Sequence, residues 1–425
     1  MEGIFMENKA ILVGVNLNKK EHDFQYSMEE LENLAAACNI MAVGSVTQNL
    51  NRVNQAHYIG SGKIEELQEL VEETGADTII FDDELSPSQI RNLESFLSEC
   101  EVVDRTTLIL EIFAKRAKTR ESKLQVEIAQ LRYRLPRLIG SRKSLGRQGG
   151  GSGLNNRGAG ETKLELDRRK IEEQIAKLSR ELEHLVSQRK MQRRKREKNE
   201  IPVVSLVGYT NAGKSTMMNA VLESYNGGEE KFVFEKNMLF ATLETSVRSV
   251  TLATNQAFLL TDTVGFINKL PHHLVKAFRS TLEEVAEADL LIHVIDLSNP
   301  HHEEQRQLTE EILEGIGIED IPIIHAYNKV DLVEGEYSVE GSNNVYVSAK
   351  DRQGVDALTE QIKQYIFSDY VQCELLIPYT DGRVVSYFNE HADVIAEDFE
   401  QEGTKLVVKC KKADAEKFQK YITYI

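Results

Sequence analysis

The sequence predicts a multidomain α/β protein: a small α/β N-terminal domain, a two-helix coiled-coil-like hairpin with a glycine-rich loop, a phosphate-loop domain with a mainly parallel sheet, and a small α+β C-terminal domain. Three observations predict it. Apolar runs of strand length alternate with helical patterns over residues 1–105 and again from residue 200. Between these stretches, apolar residues recur at steps of three and four over many turns, as a helical hairpin requires. The second α/β stretch opens with an apolar strand that runs into a glycine-bounded turn and then a helix. The boundaries expected are 1–105, 106–199, 200–368 and 369–425, in keeping with roughly 100 to 200 residues per domain.

In the N-terminal stretch, KAILVGVNL, MAVGSVTQ, DTIIFDD and EVVD read as parallel strands, separated by helical patterns. Ser86 before Pro87 marks a helix start, and Thr74-Gly75 closes the helix before it. Gly60 and Gly62 in YIGSGK precede a helix and could hold a phosphate, but so short a string is better read as a strand-to-helix turn. An adenine-nucleotide site in this domain rests on that string alone.

From about Thr106, Leu124, Ile128, Leu131, Leu135 and Leu138 form one apolar stripe, and Ile171, Ile175, Leu178, Leu182 and Leu185 a second. Between them, eight glycines fall from Gly140 to Gly160, interleaved with Arg142, Lys143, Arg147 and Arg157. A flexible linker has no need of these arginines, whereas freed backbone amides with guanidinium groups suit RNA phosphates.

The net charge of −17 is uneven. Residues 105–200 hold 26 Lys and Arg against 12 Asp and Glu, while the rest of the chain holds 25 against 56. Seven of the ten residues 189–198 are basic. One basic segment on an acidic protein favours a polyphosphate partner at that segment and discourages wrapping elsewhere. Cys38, Cys100, Cys373 and Cys410 are scattered without CxxC pairing, which suggests neither a disulfide framework nor a zinc site. Without an apolar run of about 18 residues, no membrane span is expected, and a cytoplasmic monomer is. The C-terminal stretch carries no recognisable chemistry.

The turn after VVSLV is Gly208-Tyr209-Thr210-Asn211-Ala212-Gly213-Lys214-Ser215, with Thr216 following. Its glycines let backbone N–H groups curl around phosphates at the positive end of the next helix; Lys214 reaches the β and γ phosphates, and Ser215 can ligate Mg2+. The strand AFLLT ends in Asp262-Thr263-Val264-Gly265, where the Asp suits the Mg2+ shell and the Gly265 N–H can sense a γ-phosphate. After PIIHAY comes Asn328-Lys329-Val330-Asp331, whose carboxylate can accept both N1–H and N2–H of guanine. Ser348-Ala349-Lys350 follows in VYVSAK. This order points to guanine, with GTP and GDP as substrate and product.

Three further strings, GGGSGLNNRGAGETKLELDRR, LFATLETSVR and DTVGFI, resemble the HflX family of ribosome-associated GTPases. The resemblance spans nearly the whole chain and is weakest in the last sixty residues. It implies that Leu239, Phe240, Ala241, Thr242 and Leu243 form a switch in which Thr242, with Ser215, ligates Mg2+ in the GTP state. Family members usually continue with Asp-Pro-Thr; this chain has Glu244-Thr245-Ser246. Phe266 stands where many GTPases place the glutamine that orients attacking water. Intrinsic hydrolysis is therefore expected to be slow, and the catalytic group is not assigned; Arg248 and Arg279 read as surface residues of switch segments, and His272 and His273 carry no role. The resemblance further implies the large ribosomal subunit and its RNA as partner, and the splitting or rescue of idle or stalled ribosomes under stress. The alternative is an RNA-binding ribosome-assembly scaffold that uses guanine nucleotide only as a conformational ligand.

Overall fold

A computed structural model of the chain describes residues 8–17, 21–140, 156–197, 201–226, 239–240, 245–252, 256–271, 274, 285–318, 320–334 and 343–424, leaving aside the side chains of 21–22, 139–140, 156–164, 190 and 192–197. It divides into two compact units. The first holds residues 1–193 with 236–244 and 267–280; the second holds 194–235, 245–266 and 281–425.

The first unit is built on a parallel four-stranded sheet in the order β2-β1-β3-β4, with β1 Asn8–Asn16, β2 Ile40–Asn49, β3 Thr78–Phe81 and β4 Glu101–Asp104. Helices α1 (Glu21–Ala37), α2 (Ser61–Thr74) and α3 (Pro87–Phe96) make the crossovers that parallel pairing requires. The strands read as nearly continuous apolar runs because both faces are covered: Ile11, Val13, Ile79 and Phe81 pack with Ile64, Leu67 and Leu93 on one face, and Leu12 and Ile80 are buried on the other. The punctuation read from sequence holds. Ser86 and Gln89 form a reciprocal capping box ahead of Pro87, and Gly75 closes α2 at φ +65°.

Helix α4 (Arg105–Arg116) is capped by Asp104, and after a break α5 (Arg120–Arg134) runs along α6 (Asn156–Glu197). Leu124, Ile128 and Leu178 form the seam, flanked by Leu131, Ile175, Leu182 and Leu185. Leu135 and Leu138 do not continue the α-helical stripe as expected: Pro136 cannot donate to the helical ladder, and the chain tightens into a 3-10 turn over Leu135–Gly140. Residues 141–155, the greater part of the glycine-rich loop, lie outside the described residues.

Arg105 is buried at 1% exposure, and its guanidinium donates to Glu30 (2.7 Å), Asp82 (2.9 Å), the Ser27 carbonyl (3.0 Å) and the Asn268 carbonyl (3.1 Å). Lys269 pairs with Asp82 and with Asp83, the latter at 2.6 Å. Residues 268 and 269 thus join the rest of the first unit through a backbone carbonyl and an ammonium group. Phe240 does so through an edge-to-face contact with Phe113, centroids 4.7 Å apart.

The second unit carries a six-stranded sheet, β10-β9-β8-β5-β7-β6, parallel except for the edge strand β6. Its strands are β5 Val203–Val207, β6 Ser246–Thr251, β7 Ala257–Asp262, β8 Leu290–Asp296, β9 Ile323–Asn328 and β10 Asn344–Val347. Helices α7 (Lys214–Asn226), α8 (His302–Gly315) and α9 (Val355–Ile366) connect and cover it. A four-stranded antiparallel sheet follows, in the order β12-β13-β11-β14, with β11 Tyr370–Ile377, β12 Asp393–Glu400, β13 Gly403–Lys411 and β14 Ile422–Tyr424. Helix α10 (Gly382–His391) covers one face, where Phe388 packs among Leu375, Leu406 and Val408. Cys373 and Cys410 approach there with sulfurs 3.6 Å apart as free thiols. No helix among the described residues is long and apolar enough to cross a membrane.

Replacing Arg105 with Met leaves Glu30 and Asp82 as buried carboxylates without their guanidinium, so Arg105→Met is expected to lower stability by about 3–5 kcal/mol, read by urea denaturation. Burial alone would raise the Asp82 pKa, but Arg105 and Lys269 hold it below the ordinary carboxylate value. This stabilisation is present at neutral pH and is lost as pH falls through the lowered pKa. The gap between wild type and Arg105→Met should therefore narrow in acid, below about pH 4; a gap that widens there would exclude the ion pair as its source.

Candidate guanine-nucleotide site

Three loops at the carboxyl ends of β5, β7 and β9 meet, the place where open parallel sheets bind ligands. The first follows β5. Gly208 adopts φ +140°, and a Cβ there would stand 2.3 Å from the Val294 carbonyl oxygen of β8. Gly213 adopts φ +97°, and a Cβ there would lie 2.2 Å from the Asn328 amide nitrogen. Both positions need glycine for conformation and for space. Asn211 also takes a left-handed conformation, which Asn tolerates better than most residues.

Lys214, the first residue of α7, is buried and donates to the carbonyls of Gly208 (3.1 Å) and Tyr209 (2.8 Å), closing the loop into a ring. Burial pushes its pKa down to about 8, against the opposing pull of Asp262. Phosphate charges beside such an ammonium would raise it again. Ser215 donates to Asp262 Oδ2 at 2.7 Å, bringing a hydroxyl and a carboxylate together at the N-terminus of α7. Hard oxygen donors of this kind fit Mg2+ and offer nothing to a soft metal.

The second loop is Asp262-Thr263-Val264-Gly265. Thr263 anchors it by donating to the Leu206 carbonyl at 2.7 Å. Phe266 continues the pairing: its N–H donates to the Gly208 carbonyl at 3.1 Å and its carbonyl accepts from Thr210 N–H at 2.7 Å. A Cβ at Gly265 would lie 2.8 Å from both Lys214 Nζ and Thr210 Cα, so that loop and the phosphate loop approach as closely as backbone allows. The Phe266 side chain is buried, so it offers no polar group to water.

The third loop is Asn328-Lys329-Val330-Asp331. Asn328, buried at the end of β9, donates to the Ala212 carbonyl (2.9 Å) and accepts from Ala349 N–H (3.0 Å), linking its own loop to the phosphate loop and to the loop after β10. Lys329 turns at φ +66° and pairs with Asp296 at 2.6 Å. Asp331 is exposed, and one of its oxygens accepts from Ser348 Oγ at 2.7 Å. This hydroxyl in turn accepts from Asp351 N–H at 3.1 Å. Lys350 is exposed, Thr216 half-buried on α7, and Val264 and Val330 are packing residues.

Of the switch segment, Leu239 and Phe240 are described, with Phe240 buried; Ala241, Thr242 and Leu243 lie outside the described residues, as do His272, His273 and Arg279. Arg248 sits half-buried on β6, its guanidinium donating to the Val247 carbonyl at 2.9 Å. What sequence reasoning missed is the bridging role of Asn328 and the Lys329–Asp296 pair, neither of which has a local sequence signal.

Gly213→Ala forces a methyl against the Asn328 amide in a left-handed conformation, so GTP and GDP affinity should both fall by tenfold or more, with the fold retained by circular dichroism. Asp331→Asn replaces a double acceptor with a group that also donates. Its guanine-nucleotide affinity should fall by about 1.5 to 3 kcal/mol, while xanthosine triphosphate, whose 2-oxygen accepts, should gain. Unchanged guanine preference in competition binding would remove Asp331 from base recognition.

Residues 25–114 match the family described as GTP-binding GTPase N-terminal, residues 116–196 the GTP-binding GTPase middle region, and residues 203–329 the 50S ribosome-binding GTPase family. GTPase HflX of Caldanaerobacter subterraneus subsp. tengcongensis is 46% identical over 409 residues, covering 95% of this chain and 92% of that protein. GTPase HflX of Escherichia coli (strain K12) is 39% identical over 402 residues, covering 93% and 92% respectively. A crystal structure of a GTP-binding protein from Sulfolobus solfataricus in complex with GDP superposes over 85% of this chain and 99% of that one, at 25% identity and a TM-score of 0.45. With such identity over nearly its whole length, the chain belongs to the HflX family of GTPases and hydrolyses GTP.

Proposed function

We propose that the chain is a GTP-switched factor of the large ribosomal subunit, cytoplasmic and monomeric, whose basic helical segment contacts ribosomal RNA and which splits or rescues idle or stalled ribosomes under stress. The observation that carries this reading is the joining, in one chain, of a guanine-nucleotide site with a basic segment, residues 105–200, that the site itself does not use. The description of the family matched by residues 203–329 supports it. In this reading GTP binding favours attachment, and hydrolysis to GDP and phosphate favours release.

The phosphate loop from Gly208 to Thr216 cradles the phosphates, Gly265 reads the γ-phosphate, and Asp331 with Ser348, Ala349 and Lys350 reads guanine. Ser215 and Thr242 are the Mg2+ ligands, with Asp262 holding Ser215 in place at 2.7 Å. Bound there, Mg2+ would neutralise charge that develops between the β and γ phosphates. Phe266 cannot orient the attacking water, so the group that does so is supplied from elsewhere in the bound state, and turnover by the free protein is slow. A scaffold that uses nucleotide only as a conformational ligand makes the opposite prediction, since no partner would accelerate its turnover.

The test is GTP turnover with and without each purified ribosomal subunit. The large subunit should accelerate it strongly and the small subunit should not. Reversing Arg193, Arg194 and Arg196 to Glu should weaken ribosome binding and flatten its log–log salt dependence by roughly one unit for each phosphate that is no longer neutralised, somewhat less on single strands. GTP affinity of the free variant should stay normal. A variant that binds ribosomes with an unaltered salt slope would reduce the basic segment to a solvated face.

A further inference from the structure

The face of the six-stranded sheet opposite the core of Leu290, Ile292 and Val294 carries two histidines. His293 on β8 and His325 on β9 are direct partners across the parallel ladder, with ring centroids 5.7 Å apart. Helix α8 packs over this face and contributes Glu310, whose Oε1 lies 3.2 Å from His325 Nε2. One ligand atom from each of the three residues lies within 4.8 Å of the other two.

Two features distinguish this cluster from an ordinary polar contact. His293 is 1% exposed, and among the described residues its Nδ1 has no hydrogen-bond partner. A buried polar atom in that condition asks for an explanation, such as an ion or a water. The second feature is spacing, since a tetrahedral ion with bonds of about 2.1 Å sets its ligand atoms about 3.4 Å apart. The 3.2 Å between His325 Nε2 and Glu310 Oε1 is close to that edge, and the His293 ligand atom stands within 4.8 Å of both.

We propose that His293, Glu310 and His325 form a binding site for a divalent first-row transition metal of the zinc or cobalt class, with water in the fourth position. Two imidazoles and one carboxylate suit such an ion better than Mg2+ or Ca2+, which take oxygen ligands. Burial, with help from His325, Arg306 and Lys214, lowers the His293 pKa, which favours the neutral ring that a metal ligand needs. Arg306 competes for the carboxylate, its Nη1 lying 2.6 Å from Glu310 Oε1. It also holds Glu303 through Nε at 3.0 Å and Nη2 at 2.7 Å, so it has a partner to keep when the ion takes Glu310. The His325 and Glu310 side chains, 22% and 30% exposed, give the ion its route in. The bound ion would tie α8 to β8 and to β9, three residues before Asn328, at a place separate from the Ser215–Asp262 oxygen pair.

The test titrates Co2+ into the full-length protein after chelator treatment, with GDP and excess Mg2+ present to occupy the nucleotide site. One equivalent should produce the visible absorption of four-coordinate cobalt without a sulfur charge-transfer band, and Zn2+ should bleach it. His325→Ala and Glu310→Gln, both at partly exposed positions, should each weaken Co2+ binding by more than about tenfold while GDP affinity, which reports folding, stays unchanged. The wild-type titration decides the matter even if a variant fails to fold. Absence of the four-coordinate spectrum would overturn the proposal, and so would its persistence in His325→Ala. A sulfur charge-transfer band would also overturn it by placing the ion at a cysteine instead.

Discussion

The nucleotide site depends on one buried side chain, Asn328. Its amide donates to the Ala212 carbonyl in the phosphate loop and accepts from Ala349 N–H in the loop after β10, so a single planar group sets the distance between the phosphate-binding and base-reading ends of the site. Its burial at 3% exposure means that breaking either bond leaves a polar group without water to replace it. Gly213 is a consequence of that arrangement, since any Cβ there would occupy the space of the Asn328 nitrogen. Lys329 and Asp331, on either side of Val330, then take their directions from a backbone that Asn328 has already fixed. The Lys329–Asp296 pair secures the turn from the β8 side.

A second constraint sets the electrostatics. Lys214 is enclosed by the carbonyls it caps, and burial lowers its pKa although Asp262, the anion beside it among the described residues, pulls the other way. A site that holds a desolvated cation against its own carbonyls favours a polyanion, because the phosphates supply the charge that burial has removed. In the first unit the buried cation takes the opposite form. Arg105 has Glu30 and Asp82 as full partners, and its pKa is raised by those charges despite the opposing effect of burial. One buried cation is completed by its own chain, and the other is arranged for a ligand.

Much of this was legible in the sequence, because phosphates and strands impose local rules. The phosphate loop, the Asp262–Gly265 turn and Asn328–Asp331 each follow a strand, and a strand end with glycine leaves few backbone options. The capping of α3 by Ser86 and the left-handed close of α2 at Gly75 were legible for the same reason. What could not be read was anything made by register. His293 and His325 meet because β8 and β9 pair in parallel, and the thiols of Cys373 and Cys410 meet because β11 and β13 pair antiparallel. Arg105 opens a helix whose apolar pattern gives no hint that its charge points inward. The expected stripe through Leu135 and Leu138 failed because periodicity counted residues on both sides of Pro136, where the α-helical ladder cannot continue.

Phe266 shows how the same residue can be a loss for chemistry and a gain for structure. Its backbone pairs with Gly208 and Thr210 while its ring is anchored in the interior, so the Asp262–Gly265 turn is fixed against β5 at its Thr263 end and against the phosphate loop at its Phe266 end. A glutamine in that buried position would have to find partners for its amide in the interior or swing out and surrender that anchor. The geometry therefore separates two tasks that one flexible side chain would otherwise combine. Holding the turn against the phosphates is done within the chain, by glycine, threonine and phenylalanine. Aligning water for attack needs a polar group at a position that Phe266 does not supply, which is the physical reason a partner that completes the site would govern when GTP is spent.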